Sequence, residues 1–166
     1  MSRADTPSEY DVTDDDLRKE IIHIASQHLE HATSGDGIYA RKAGPHHNDR
    51  ATRVGWERLT EYFNLAYGGA GAGRYEEHHV KYLDGQWQSW CGIFALYCIK
   101  TAGVKIGNWK NGVGIRSLLK PTRDPKPGDI GYFVLNQHHC VIVAIDGDTI
   151  TTIDGNFSRG GGRGSS

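Results

Sequence analysis

No apolar run in the sequence approaches the ~20 residues that a membrane-spanning helix requires. The first residues, Met1 to Thr13, are polar and acidic and lack the apolar centre of a signal peptide. The expectation is therefore a chain made in the cytoplasm, or a fragment whose targeting region is missing. Any action outside the cell then needs a separate means of delivery. Charge of one sign is missing too: the net charge is -1, so no field gathers nucleic acid or holds an anionic membrane surface. Cysteine is sparse, with only Cys91, Cys98 and Cys140. An odd set of three is no disulfide framework, and the absence of CxxC spacing argues against a structural zinc site. At least one thiol is free, which raises the question of its reactivity. Hydrophobic residues, at 37%, are few for a core-rich enzyme yet well above the disordered range.

What is present suits one domain of 166 residues with many loops, given 22 glycines. Residues 1–12 read as a flexible lead. A helix is predicted from Thr13, whose hydroxyl caps it while Asp14, Asp15 and Asp16 complement the dipole. Leu17, Ile21, Ile24, Ala25 and Leu29 then recur at helical spacing. Gly35 to Asn48 reads as loop, and a second helix is expected over Arg50 to Ala66, with Leu59, Tyr62, Phe63 and Ala66 on one face. The Gly68–Gly73 run reads as a flexible connection. It has no preceding strand and no GxxxxGK[ST] pattern, so it is not a phosphate cradle. Trp90 to Ala102 is an apolar helix stopped by Gly103. Three β-rich runs follow, Ile130–Leu135, Cys140–Ile145 and Thr149–Ile153, the last two joined by the hairpin signal Asp146-Gly147. Arg159 to Ser166, Gly/Ser-rich, reads as a disordered tail. Helices followed by an antiparallel sheet make an α+β fold. The expected division is a single catalytic domain over 13–157, with a helical part over 13–85 and a core over 86–157, and a tail over 158–166.

Cys91 opens the apolar helix, where the positive end of the dipole stabilises a thiolate. Taken alone, a helix cysteine is more often a buried core residue, and Cys98, seven residues on within the apolar run, reads that way. A nucleophilic cysteine needs a base, and the base an orienting partner. His138 and His139 precede one strand, and Asp154 and Asn156 follow the next. An Asp146-Gly147 loop sets Asp154 directly across from His139. A Gly147-Asp148 loop sets Asn156 there instead, and a three-residue loop sets Gly155 there. Side-chain alternation sends His138 to the other face. His139 is thus the expected base, with Asp154 favoured over Asn156 as its partner because Asp-Gly suits a type I′ turn. His46-His47 and Glu76-Glu77-His78-His79 lack a third ligand at a recognisable spacing and read as solvated surface, so no metal is expected. Trp87, Trp90 and Trp109 read as core or groove lining.

Trp90-Cys91-Gly92-Ile93-Phe94, Ala102-Gly103-Val104, Pro127-Gly128-Asp129-Ile130, His139-Cys140-Val141-Ile142-Val143 and Ile153-Asp154-Gly155-Asn156 follow one order. Together they resemble the CHAP and NlpC/P60 superfamily of papain-like cysteine amidases and peptidases. The resemblance covers roughly Gln86 to Phe157. It implies a papain-like fold in which N-terminal helices and a Cys-bearing helix pack on an antiparallel β-sheet. It also implies hydrolysis of amide or peptide bonds in bacterial peptidoglycan without a cofactor. Cys91 is then nucleophile, His139 general base, and Asp154 or Asn156 the orienting residue. Gln86 or Gln88 assists the oxyanion, and Trp90 is a further candidate for the substrate region. The chain departs from many relatives in having Cys140 after the histidine, and its first 85 residues match nothing in the family. The expected role is an antibacterial effector toxin or lysin, delivered or secreted to a cell wall or into a target cell. An immunity or inhibitor protein, or a delivery apparatus, would be its protein partner. The alternatives are a papain-like toxin domain that cleaves or deamidates a protein in a target cell, and a non-catalytic binding module on the same scaffold.

Overall fold

The computed structural model describes residues 12–33, 38–69, 77–85 and 89–156. The expected flexible lead (but for Val12), most of the Gly68–Gly73 connection and the tail lie outside them, as do Gln86, Trp87 and Gln88.

Helix α1 spans Asp14–Thr33. Thr13 Oγ1 accepts a hydrogen bond from the Asp16 backbone N–H at 3.2 Å, while Asp16 Oδ2 accepts from the Thr13 N–H at 3.2 Å, a reciprocal cap. Ile21, Ile24 and Ala25 of the expected stripe are buried, but Leu29 is 48% exposed.

The next stretch departs from expectation. In place of loop and helix there is a hairpin of β1 (Tyr39–His47) and β2 (Arg50–Val54), and α2 begins only at Trp56, running to Tyr67. Asn48 and Asp49 turn the hairpin with φ of 51° and 62°, the left-handed values that short polar side chains tolerate best. The pairing slips at two places, and most of β1 described at side-chain level is exposed. The buried residues of β2, Thr52 and Arg53, are polar, so no apolar alternation marks the pair in the sequence. Leu59, Tyr62, Phe63 and Ala66 of α2 are buried, as their spacing predicts. The short α3 (Glu77–Lys81) follows and carries His78 and His79.

Helix α4 covers Cys91–Thr101, and eight of its side-chain positions are buried, from Cys91 to Ile99. A helix that is apolar on every side belongs inside, and α4 packs against α1, α2 and the second sheet. That sheet has the order β3-β4-β5, with β3 Ile130–Phe133, β4 His138–Asp146 and β5 Thr149–Ile153, all antiparallel. The architecture is α+β, helices on small antiparallel sheets. Among the described residues no helix is long and apolar enough to cross a membrane.

The β4–β5 hairpin turns at Gly147-Asp148, since Asp146 pairs with Thr149. Gly147 has φ 56°, the sign that a type II′ turn requires at its first loop position. The ladder then shifts between Ala144 and Ile142, so that Ile142 faces Thr152 and Val141 faces Ile153. Val143 is the extra residue of a bulge. Carried two residues further, this register sets Gly155 opposite His139.

Candidate active site

Cys91 occupies the first turn of α4, with Trp90 as the preceding cap residue. The first intrahelical bond runs from the Phe94 N–H to the Trp90 carbonyl, at 2.9 Å. The amides of Cys91, Gly92 and Ile93 form the first turn, the positive helix end that stabilises a thiolate. Cys91 is buried, and its Sγ lies 3.6 Å from His139 Nδ1. Ser89 Oγ stands 3.7 Å from the same sulfur.

Strand β4 supplies the histidine. His139 and Val141 point to the face covered by α4, and both are buried. Tyr132, directly across on β3, packs its ring at a tilt 4.8 Å from the His139 ring, and Trp109 presents an edge-on contact at 6.1 Å. Gly92 makes this approach possible: a Cβ there would lie 2.6 Å from the Trp109 ring and 3.0 Å from His139 Nδ1. Burial pushes the His139 imidazole down to about 4, aided by the charges of His138 and Arg116. The ring is therefore neutral near pH 7. With Nδ1 turned to the thiol to accept its proton, the hydrogen of the neutral ring belongs on Nε2. That atom is buried without a hydrogen-bond partner among the described residues. An unsatisfied buried donor costs about 1–3 kcal/mol.

The carboxylate expected on His139 is elsewhere. Asp154 Oδ1 accepts from His138 Nε2 at 2.9 Å, and Asp154 Oδ2 accepts from the Thr152 hydroxyl at 2.9 Å. The expectation that Asp154 faces His139 is thus corrected, and the reason is register. The hairpin turns one residue later than Asp146-Gly147 and then bulges at Val143, leaving the ladder one residue from the expected pairing. A one-residue slip moves a side chain to the opposite face. Asn156 makes no hydrogen bond to His139 and sits at φ 61° just past the strand.

The remaining expected site residues divide similarly. Trp90 is core: its ring packs on Tyr62 and Phe94, and its indole Nε1 is buried without a partner among the described residues. Gln86 and Gln88 fall outside the described residues. Cys98 is fully buried, its thiol pushed up to about 12 by burial. Cys140 lies on the His138 face, pushed up to about 11 by burial and by the nearby Asp154 charge. No group of three or more His, Cys, Asp or Glu side chains is arranged to hold a metal among the described residues.

Tyr132 and Ser89 escaped the sequence reading. Strand pairing could have nominated Tyr132, but it required knowing that β3 pairs with β4 antiparallel and in which register. Trp109 was expected as core or groove lining, and its contact with Gly92 and His139 depends on how the loop that carries it folds back over α4.

The assembled groups suit nucleophilic acyl chemistry. The thiol is at a helix start, a neutral imidazole is beside it, and the amides of the helix's first turn lie next to the thiol for developing negative charge. No family model, curated protein or solved structure matches this chain.

Proposed function

We propose that this chain is a cysteine hydrolase acting on amide or peptide bonds of bacterial peptidoglycan, with a papain-like arrangement of α4 and the β3–β5 sheet. The observation that carries the reading is the 3.6 Å approach of Cys91 Sγ to His139 Nδ1 at the start of a buried helix. In this reading His139 Nδ1 takes the thiol proton as sulfur attacks the substrate carbonyl. The oxyanion forms near the amides of the first turn. His139 then protonates the departing amine, leaving a thioester on Cys91. Water, deprotonated by His139, attacks the thioester, and the acid product leaves as the thiol is restored.

The resemblance of the Trp90–Phe94 and His139–Val143 segments to peptidoglycan amidases supports the choice of substrate. An antibacterial toxin or lysin, delivered to its target, is the corresponding biological role. Asn156, the alternative orienting residue, makes no hydrogen bond to His139, and the favoured Asp154 is held by His138 and Thr152. The test is incubation of the purified chain with sacculi, followed by mass spectrometry of the soluble products. New amine and carboxyl ends on released fragments, absent with Cys91→Ala, are the expected result. Intact sacculi would remove the wall substrate from the proposal.

A further inference from the structure

Arg116 belongs to the short 3₁₀ turn Gly114–Ser117, which lies beside the Cys91/His139 pair. Two contacts place it there. A Cβ on Gly114 would touch the Trp109 ring at 3.2 Å, and that ring closes over Gly92. The Arg116 guanidinium sits over the Tyr132 ring, 5.3 Å from its centroid, and Tyr132 packs on His139. The positive charge is near enough to disfavour a proton on His139.

Arg116 is exposed, and no carboxylate pairs with it among the described residues. Arg18 and Arg50, by contrast, are matched to Asp129 and Asp84. Arg116 also lines a cavity of about 1210 Å³, together with Ile115, Leu119, Ile130 and Tyr132. Tyr132, one of its lining residues, is in ring contact with the His139 imidazole. Arg18, Lys120 and Lys126 also line the cavity, but Arg116 is the cation stacked on the ring beside the imidazole, a position suited to an anionic group of a ligand. Stacking on an aromatic face holds a guanidinium fork in place, and the fork geometry matches a carboxylate.

We propose that Arg116 is a carboxylate-binding residue of the substrate cleft, selecting amide substrates that carry a free carboxylate close to the bond cleaved. The inference rests on the hydrolase reading for the word substrate, and on Arg116, Tyr132 and the cavity for the site itself.

The test uses the Cys91→Ala chain, which cannot turn the probe over, and two N-acetylated, C-terminally amidated peptides of sequence L-Ala-γ-D-Glu-L-Lys. One keeps the glutamate α-carboxylate, and the other has a carboxamide there. Calorimetric titration is expected to give about tenfold or tighter binding of the carboxylate form, since hydrogen bonds to charged groups contribute about 1.5–3 kcal/mol. Adding Arg116→Ala should erase the difference, and Arg116→Lys should restore part of it. Equal binding of the two peptides, no binding of either, or a preference that survives Arg116→Ala would overturn the proposal. Cleavage of either peptide by the unmodified chain is read separately. Selective binding without cleavage keeps the Arg116 site and removes the hydrolase reading, whereas cleavage without selectivity does the reverse.

Discussion

Adjacent histidines on one strand have opposite surroundings. His139 meets a thiol and two aromatic rings on the face covered by α4, and finds no acid among the described residues. His138 meets Asp154 on the other face, near Cys140, whose thiol is pushed up by burial and by Asp154. Each face thus holds a cysteine, but only one sets its cysteine at a helix N-terminus. The contrast separates two things that sequence reading merges: nearness of a histidine to an acid, and nearness to a reactive sulfur. Helix geometry and the Cys91 contact favour the His139 face as the reactive one, even without a carboxylate.

The sharpest way to break this comparison is to delete each histidine in turn. Cys91→Ala is expected to abolish hydrolysis of sacculi. His139→Ala is expected to lower the rate by about 10²–10⁴-fold, the usual contribution of a positioned acid–base group. His138→Ala is expected to keep the rate within about tenfold, or roughly 1.4 kcal/mol of barrier. A dead His138→Ala beside an active His139→Ala would reverse the assignment of the two faces.

Asp154→Ala sharpens the same contrast. With its carboxylate on His138 and Thr152, the main expected effect is on stability, about 1–3 kcal/mol from an orphaned partly buried partner, with kcat changed less than tenfold. Denaturant titration and kinetics on one preparation separate the two. A loss on the order of 10⁴-fold in kcat at unchanged stability would mean that Asp154 serves His139 during turnover.

The thiols give a third comparison. Brief iodoacetamide treatment with peptide mapping is expected to modify Cys91 first, because Cys98 and Cys140 sit at about 12 and 11 and hold their protons. Labelling of Cys140 ahead of Cys91 would move the reactive thiol to the His138 face.

The smallest effect is on pH stability. His139 and His28 are both pushed down to about 4, chiefly by burial, from the ordinary 6.5. A lowered value means that the unfolded chain binds protons first. The stability that these rings contribute is therefore complete above pH 6.5 and lost as pH falls towards 4. The melting temperature should decline across that window, and less steeply in His28→Phe, which removes one of the two protons. An unchanged slope in that variant would place the titration elsewhere.

Much of the scaffold was legible because burial leaves a period in the sequence. The α1 cap, the apolar α4 and the three strands of the second sheet carry such marks in Thr13, Cys91–Ile99 and Val141–Ile153. The β1–β2 hairpin was not legible: its exposed residues carry no alternation, and its turn pair Asn48-Asp49 was lost among loop-forming residues. The β4–β5 register shows the same limit at the site. Asp-Gly and Gly-Asp overlap in Asp146-Gly147-Asp148, and local turn preference does not choose between them.

The sequence by itself determined that a cysteine stands at a helix start, and that His138 and His139 must point to opposite faces, because alternation along a strand is a property of the backbone. Only the tertiary structure decided which face meets α4, and which histidine receives Asp154. Both outcomes depend on distant packing: α4 covers the His139 face, while the bulge at Val143 shifts the hairpin by one residue. One residue is enough, because strand side chains repeat with period two, and a single slip exchanges the partners of every residue beyond it.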